Sequence, residues 1–186
     1  MLDEVLSNLE NLATRHLEHI RRRYHIALGL DLGLDLGYAL AVKKGDNWEL
    51  LDKGVGTLKL KKKADDLPAT IYFRLFKFLD LVNPGVIFYE DIRYTPPAKQ
   101  GIGRLVRSFK ILDSLRTILE IWATERGAAL EAINPSKIAS VIKEATKSGI
   151  AKKEAAINFA KENFGVSGID HHAADALLCL MVGLES

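Results

Sequence analysis

The stretch His25-Ile-Ala-Leu-Gly-Leu-Asp31-Leu-Gly33-Leu-Asp35-Leu-Gly37-Tyr-Ala-Leu40 decides how this chain is read. An apolar run ends in an acid, Gly33 and Gly37 bracket a turn, and a second apolar run follows. Residues 25–31 and 38–43 therefore read as strands, and a third, 48–58, follows the turn Lys44-Gly-Asp-Asn47. A carboxylate at the edge of a buried segment costs several kcal/mol unless something compensates it. Asp31 is not alone in that position. Glu90 ends the apolar run Val86-Ile-Phe-Tyr89, and Asp175 interrupts His172-Ala-Ala-Asp-Ala-Leu-Leu-Cys-Leu-Met181. As a set, the three acids suit a shared hard cation, since Mg²⁺ takes few carboxylates and completes its shell with water and phosphate oxygens.

Outward from that stretch, residues 1–23 have helical spacing of Leu2, Val5, Leu6, Leu9, Leu12, Ala13, Leu17 and Ile20. Arg21-Arg-Arg23 closes this amphipathic helix at the negative end of its dipole. A helix is predicted over about 66–82, with Ile71, Leu75, Phe78, Leu79 and Val82 on one face and Asn83-Pro-Gly85 as its stop. The strand 86–90 follows, then a Pro- and Gly-rich loop, 91–103. A long helix, 104–126, ends at Gly127, and a strand, 128–133, leads to a helix opened by Asn134-Pro135. Helices over 151–164 and 171–184 complete the order. A three-strand meander followed by alternating helices and strands predicts an α/β fold, a mixed five-stranded sheet flanked by helices. The chain divides into an extra N-terminal helix, 1–24, and one domain, 25–186.

At 186 residues, 48% hydrophobic and 27% charged, the composition is that of an ordinary globular domain. No apolar run approaches the length of a membrane span, and no membrane segment or secretory signal is expected. One cysteine, Cys179, excludes an internal disulfide and any multi-cysteine zinc site, which fits a cytoplasmic protein. The net charge of +2 does not announce a nucleic-acid partner, but its distribution is suggestive. Lysines 53, 59, 61, 62 and 63 form one basic run. Arg93, Lys99, Arg104, Arg107 and Lys110 form a second, and Lys137, Lys143, Lys147, Lys152 and Lys153 a third. Each alone could be a solvated face; three of them beside an acidic metal-type set favour a phosphate backbone.

In the predicted order Asp31 and Glu90 end strands that can be neighbours, and His171 and His172 share a helical face with Asp175. Three carboxylates and a histidine can hold two Mg²⁺ roughly 4 Å apart, one activating water and the other steadying the departing 3′ oxygen of a phosphodiester. Lys152 or Lys153 could neutralise the charge that develops on phosphorus. Plainer readings stand beside these. Asp31 could be a turn-former, Asp35 is read as a turn residue, and Asp91 as a solvated strand end. Asp170 reads as the N-cap of the last helix, with a secondary place among metal ligands. His171 could face solvent, His16, His19 and His25 read as surface residues, and Trp122 with the Phe73–Phe78 cluster as core.

Gly29-Leu-Asp31-Leu-Gly33 followed by Gly37-Tyr-Ala-Leu resembles the first motif of the RNase H-like superfamily. Glu90 after its strand, Ala151-Lys-Lys153 and His172-Ala-Ala-Asp175-Ala-Leu resemble, more specifically, RuvC-type Holliday-junction resolvases, in motif order across residues 25–184. The resemblance implies an RNase H-like fold and a homodimer that binds four-way DNA. Such an enzyme places paired symmetric nicks with Mg²⁺ or Mn²⁺, in DNA recombination and repair. It implies Asp31, Glu90, His172 and Asp175 as metal and catalytic residues, and Lys153 as the active-site lysine. Arg93, Lys99, Arg104, Arg107, Lys110, Lys147 and Lys152 would hold DNA, and Tyr94 would wedge into the junction centre. The helix 1–23 has no counterpart in the family's pattern, and 91–103 does not align with it.

The expected function is thus a metal-dependent, structure-selective endonuclease that resolves four-way junctions. The alternatives are an RNase H-type nuclease for flaps, branched DNA or RNA, an actin-like ATP-binding domain using the Gly33/Gly37 turn for phosphate, and a non-catalytic nucleic-acid-binding module.

Overall fold

The computed structural model describes residues 25–63, 66–91, 102–143 and 151–185, without the side chains of 52 and 102–109. The expected helix 1–23, most of the loop 91–103, Arg93, Tyr94, Lys99, Lys147 and the side chains of Arg104 and Arg107 lie outside this description.

Among the described residues ten elements follow one another: β1 (Ile26–Asp31), β2 (Asp35–Lys44), β3 (Asn47–Lys59), α1 (Pro68–Val82), β4 (Val86–Glu90), α2 (Ile102–Arg126), β5 (Ala129–Ile133), α3 (Pro135–Val141), α4 (Lys152–Phe164) and α5 (His171–Leu184). The strands form one sheet in the order β3-β2-β1-β4-β5. β1 pairs antiparallel with β2 and parallel with β4, β2 pairs antiparallel with β3, and β4 pairs parallel with β5. The expected mixed sheet is therefore present, with β1 at its centre. A central strand is covered on both faces, which is why 26–30 reads as an unbroken apolar run.

The two faces of the sheet differ in the size of their side chains. Leu28, Leu30, Tyr38, Leu40, Ile87 and Tyr89 point to one face and pack with Ile71, Leu75, Phe78 and Leu79 of α1 and Leu115, Leu119 and Trp122 of α2. Ala27, Ala39, Ala41 and Phe88 point to the other, against Ile138 of α3, Ala155, Ala156 and Ala160 of α4, and Leu177, Leu178 and Leu180 of α5. Small sheet residues let a helix backbone approach closely. A Cβ at Gly29 would lie 2.3 Å from the carbonyl oxygen of Ala176, so α5 rests directly on β1.

Local chemistry accounts for the element ends. α1 opens on Pro68 and stops at Asn83, whose left-handed backbone (φ 49°) lets its N–H reach Leu79 O. α2 ends at Gly127, also left-handed. Asn134 caps α3 by accepting from the Ser136 N–H at 2.9 Å. The indole N–H of Trp122 donates to Asp80 at 2.8 Å, tying α2 to α1.

Two expectations are corrected. Asp35 is not in the turn: β2 begins there, paired with Lys59, because the meander needs only residues 32–34 to reverse the chain. Phe73 is not core but 57% exposed, because α1 turns its 71-75-78-79-82 face to the sheet and 73 lies on the far side, under the Lys77 ammonium. Among the described residues no helix is long and apolar enough to cross a membrane.

Candidate active site

Asp31 and Glu90 end parallel neighbours. The register pairs Leu30 with Tyr89, so the next residue on each strand, the acid, emerges at the same end of the sheet. Side chains alternate along a strand, so Asp31 shares the face of Ala27 and Gly29, and Glu90 that of Phe88. That is the face α5 covers. The first turn of α5 crosses β2 so closely that a Cβ on Gly37 would lie 2.0 Å from the carbonyl oxygen of His172. Gly37 in turn pairs with Asp31 across the β1–β2 ladder. The glycine thus brings His172 to the acid: His172 Nδ1 lies 2.7 Å from Asp31 Oδ2 and donates to the carboxylate. Asp175 follows three residues later, on the same side of the helix.

The electrostatics show three acids sharing one neighbourhood. Burial pushes the Asp31 carboxyl up to about 6; the bond from His172 opposes the rise, and the charges of Asp175 and Glu90 add to it. Burial also raises Glu90, with the Lys152 ammonium opposing and Asp175 adding. Asp175 is raised by burial, with Lys152, His171, His172 and Lys153 opposing in that order. Beneath them, one turn beyond Asp175, the buried Cys179 thiol is held well up by burial and then by the fields of Glu90, Asp31 and Asp175. A cation placed among these acids would relieve both the desolvation and the repulsion.

The donor set therefore fits a hard divalent ion in chemistry: carboxylate oxygens backed by one imidazole. The side chains as placed do not close on a single point, and among the described residues no three His, Cys, Asp or Glu groups are gathered tightly enough to hold an ion.

Asp170 caps α5. Its Oδ1 accepts from the Ala173 N–H at 3.0 Å and from the Thr57 hydroxyl at 2.5 Å. Burial acts to raise this carboxyl, yet the two hydrogen bonds and the neighbouring histidines outweigh it and hold it below its ordinary value.

The two lysines differ. Lys153 Nζ lies 2.9 Å from His171 Nε2, whose ring stacks on that of His172 at 4.0 Å. Lys152 is the cation whose field acts on both Glu90 and Asp175, and on Asp175 it outweighs Lys153. Of the expected DNA contacts, only Lys110 and Lys152 have described side chains, and both are exposed.

The sequence alone left Thr57 and the packing role of Gly37 unseen. Gly37 lies within β2, outside the turn 32–34, and is the seat of α5. Thr57 reaches α5 only through the β2–β3 register, and nothing local in the sequence marks it.

No protein-family model matches the chain, and no curated protein sequence matches it. Its fold is similar to that of Thermus thermophilus RuvC in complex with a Holliday junction substrate, with a TM-score of 0.59 at 15% identity over 84% of this chain and 91% of that one. A second Thermus thermophilus RuvC structure gives 0.58 at 17%, over 84% and 92%. The yeast mitochondrial Holliday junction resolvase Ydc2 gives 0.53 at 20% identity, over 96% of this chain and 92% of that one. The chain has an RNase H-like α/β fold, similar to that of these resolvase structures.

Proposed function

We propose that this protein is a metal-dependent endonuclease that resolves four-way DNA junctions by paired symmetric nicks. The observation that carries the reading is the gathering of Asp31, Glu90 and Asp175, from β1, β4 and α5, toward one end of a RuvC-like sheet, where Asp31 feels the charges of Asp175 and Glu90, and Glu90 that of Asp175. Binding alone gives no reason to gather acids where a phosphate backbone would lie.

Asp31, Glu90, Asp175 and His172 would hold two Mg²⁺ or Mn²⁺ ions, with Asp170 kept mainly as the helix cap. When bound, the ions supply Lewis-acid activation of the attacking water and of the phosphodiester. The protein's own groups prepare the ground. His172 fixes the Asp31 carboxylate through Nδ1, which leaves Nε2 as its donor atom toward a ligand. Lys152, exposed at the start of α4, supplies positive charge toward Glu90 and Asp175 and is placed to counter charge developing on a phosphate. Lys153 orders His171 beside it.

Among the described residues one chain carries one such acidic cluster, and two symmetric nicks need two, so the acting species would be a homodimer. Lys110, Arg104, Arg107 and the basic residues of 92–101 and 147–153 would hold the arms, Tyr94 would enter the centre, and 1–24 would be an appendage to the catalytic unit 25–186. Cys179, unpaired and buried, suits the reducing conditions of a cytoplasm.

The test is cleavage of a labelled four-way junction beside matched duplex, flap and RNA–DNA hybrid in Mg²⁺, with Asp31→Asn as control. Paired nicks on the junction alone, lost in the variant, are expected. Preferential cutting of flap or hybrid would move the function to another RNase H-type nuclease. Tight junction binding without cutting would make the chain a binding module.

A further inference from the structure

Three residues stand in a row across the sheet. Asp31 of β1 pairs with Gly37 of β2, and Gly37 pairs with Thr57 of β3. Residues paired across a ladder share a face, so all three lie on the side of α5, over a span of roughly 10 Å. The start of α5 meets each of them. The side chain of His172 reaches Asp31 at 2.7 Å. Its backbone carbonyl oxygen rests where a Cβ of Gly37 would be, 2.0 Å away. Two residues earlier, the Asp170 Oδ1 atom takes the Thr57 hydroxyl at 2.5 Å and the Ala173 N–H at 3.0 Å.

Two of these contacts fix height and capping: Gly37 sets how close the helix comes, and the Asp170–Ala173 bond is an ordinary N-cap. Neither prevents the first turn from rotating about its axis over the flat glycine. The Thr57 hydroxyl ties the cap itself to the sheet on the side away from Asp31. With His172 held at one end of the row and Asp170 at the other, the turn has one orientation.

We infer that Thr57 is a positioning residue for the acidic site, acting through Asp170 and the first turn of α5 to hold His172 against Asp31. This rests on the functional reading above for its consequence in catalysis, but not for its geometry. The residue touches no reacting atom, and its hydroxyl is the only chemistry it contributes.

The experiment compares full-length Thr57→Val, which keeps the shape and removes the hydroxyl, with Thr57→Ser, which keeps the hydroxyl. Three quantities are read: kcat and KM for the junction, the His172 Nδ1 resonance of histidine-labelled protein at fixed pH in EDTA, and Tm. In Thr57→Val, kcat should fall on the order of ten-fold, as for a displaced catalytic group. KM should stay within about two-fold and the His172 resonance should move. Thr57→Ser should restore both. An unmoved resonance, or an unmoved kcat in an enzyme that cuts, overturns the inference; a lower Tm with both unmoved marks a purely structural latch and overturns it equally. If the wild type cuts no substrate, the functional reading fails, and the resonance comparison still decides the positioning role.

Discussion

Neutralising Asp31 should make the protein more stable while disabling it. The Asp31 side chain is 16% exposed and its carboxyl is pushed up to about 6, from an ordinary value of 3.8. A group whose folded pKa lies above its unfolded one binds its proton more tightly in the folded state. The stability it contributes is fully present below about pH 3.8 and lost as pH rises through about 6. Above that window the ionised carboxylate is a net cost. The rise of roughly 2 pH units, at about 1.4 kcal/mol each, sets that cost at about 3 kcal/mol. Asparagine keeps an oxygen that can accept from His172 Nδ1 but loses the charge assistance, so Asp31→Asn should gain about 1–3 kcal/mol at pH 7.5 in EDTA. Urea unfolding of both proteins from pH 4 to 8 measures it. The gain should be near zero at pH 4, grow across pH 4–6 and level off above. Mg²⁺ should narrow the gap by stabilising the wild type preferentially. An Asn variant no more stable at pH 7.5, or a gain independent of pH, would refute the assignment of Asp31 as a desolvated, repelled carboxylate.

Three further outcomes follow from the packing and the fields. In Gly37→Ala the new methyl meets the His172 carbonyl, backbone that cannot yield cheaply, so α5 must shift. The expected loss is about 1–3 kcal/mol in urea unfolding, with junction cleavage falling more than Tm alone would explain. Lys152→Ala should lower junction cleavage on the order of ten-fold, and Lys153→Ala by less, because the Lys152 field dominates at Glu90 and Asp175; equal losses at matched ionic strength would remove that distinction. Trp122→Phe removes the bond to Asp80 far from the acids, on the α1–α2 side. It should cost about 1–3 kcal/mol in unfolding and leave cleavage per folded molecule unchanged.

Much of the architecture was legible because its signals are local. The helix α1 announced itself by an apolar face at helical spacing and a proline–glycine stop, and its buried residues are those the spacing selects. The strand carrying Asp31 was legible from an apolar run that an acid terminates. Phe73 and Asp35 went the other way for physical reasons. An aromatic side chain beside a core face does not have to join it when a lysine can cover its ring, and a tight reversal left Asp35 free to pair. In the candidate site, Asp31, Glu90 and Asp175 could be nominated because acids within apolar segments are costly wherever the chain runs, and His172 because it lies three residues before Asp175 on the same helical face. Thr57 could not, since its role depends on a register two strands away from the residue it serves.

The placement of the acids depends on a pattern easily passed over as mere hydrophobicity. β1 alternates Ala27, Leu28, Gly29, Leu30, and β2 alternates Ala39, Leu40, Ala41, Val42, so over these two strands one face is small and the other large. Large residues pack against α1 and α2. Small ones let α5 settle onto the backbone at Gly29 and Gly37. Only that close approach brings a helix-borne Asp175 within the field of Asp31 and Glu90 at the strand ends. Replacing Ala or Gly on this face by Leu would preserve hydrophobicity, strand propensity and the alternation itself, yet lift the helix and pull the cluster apart. The difference between the two faces is what brings three acids, scattered along the chain, toward one end of the sheet.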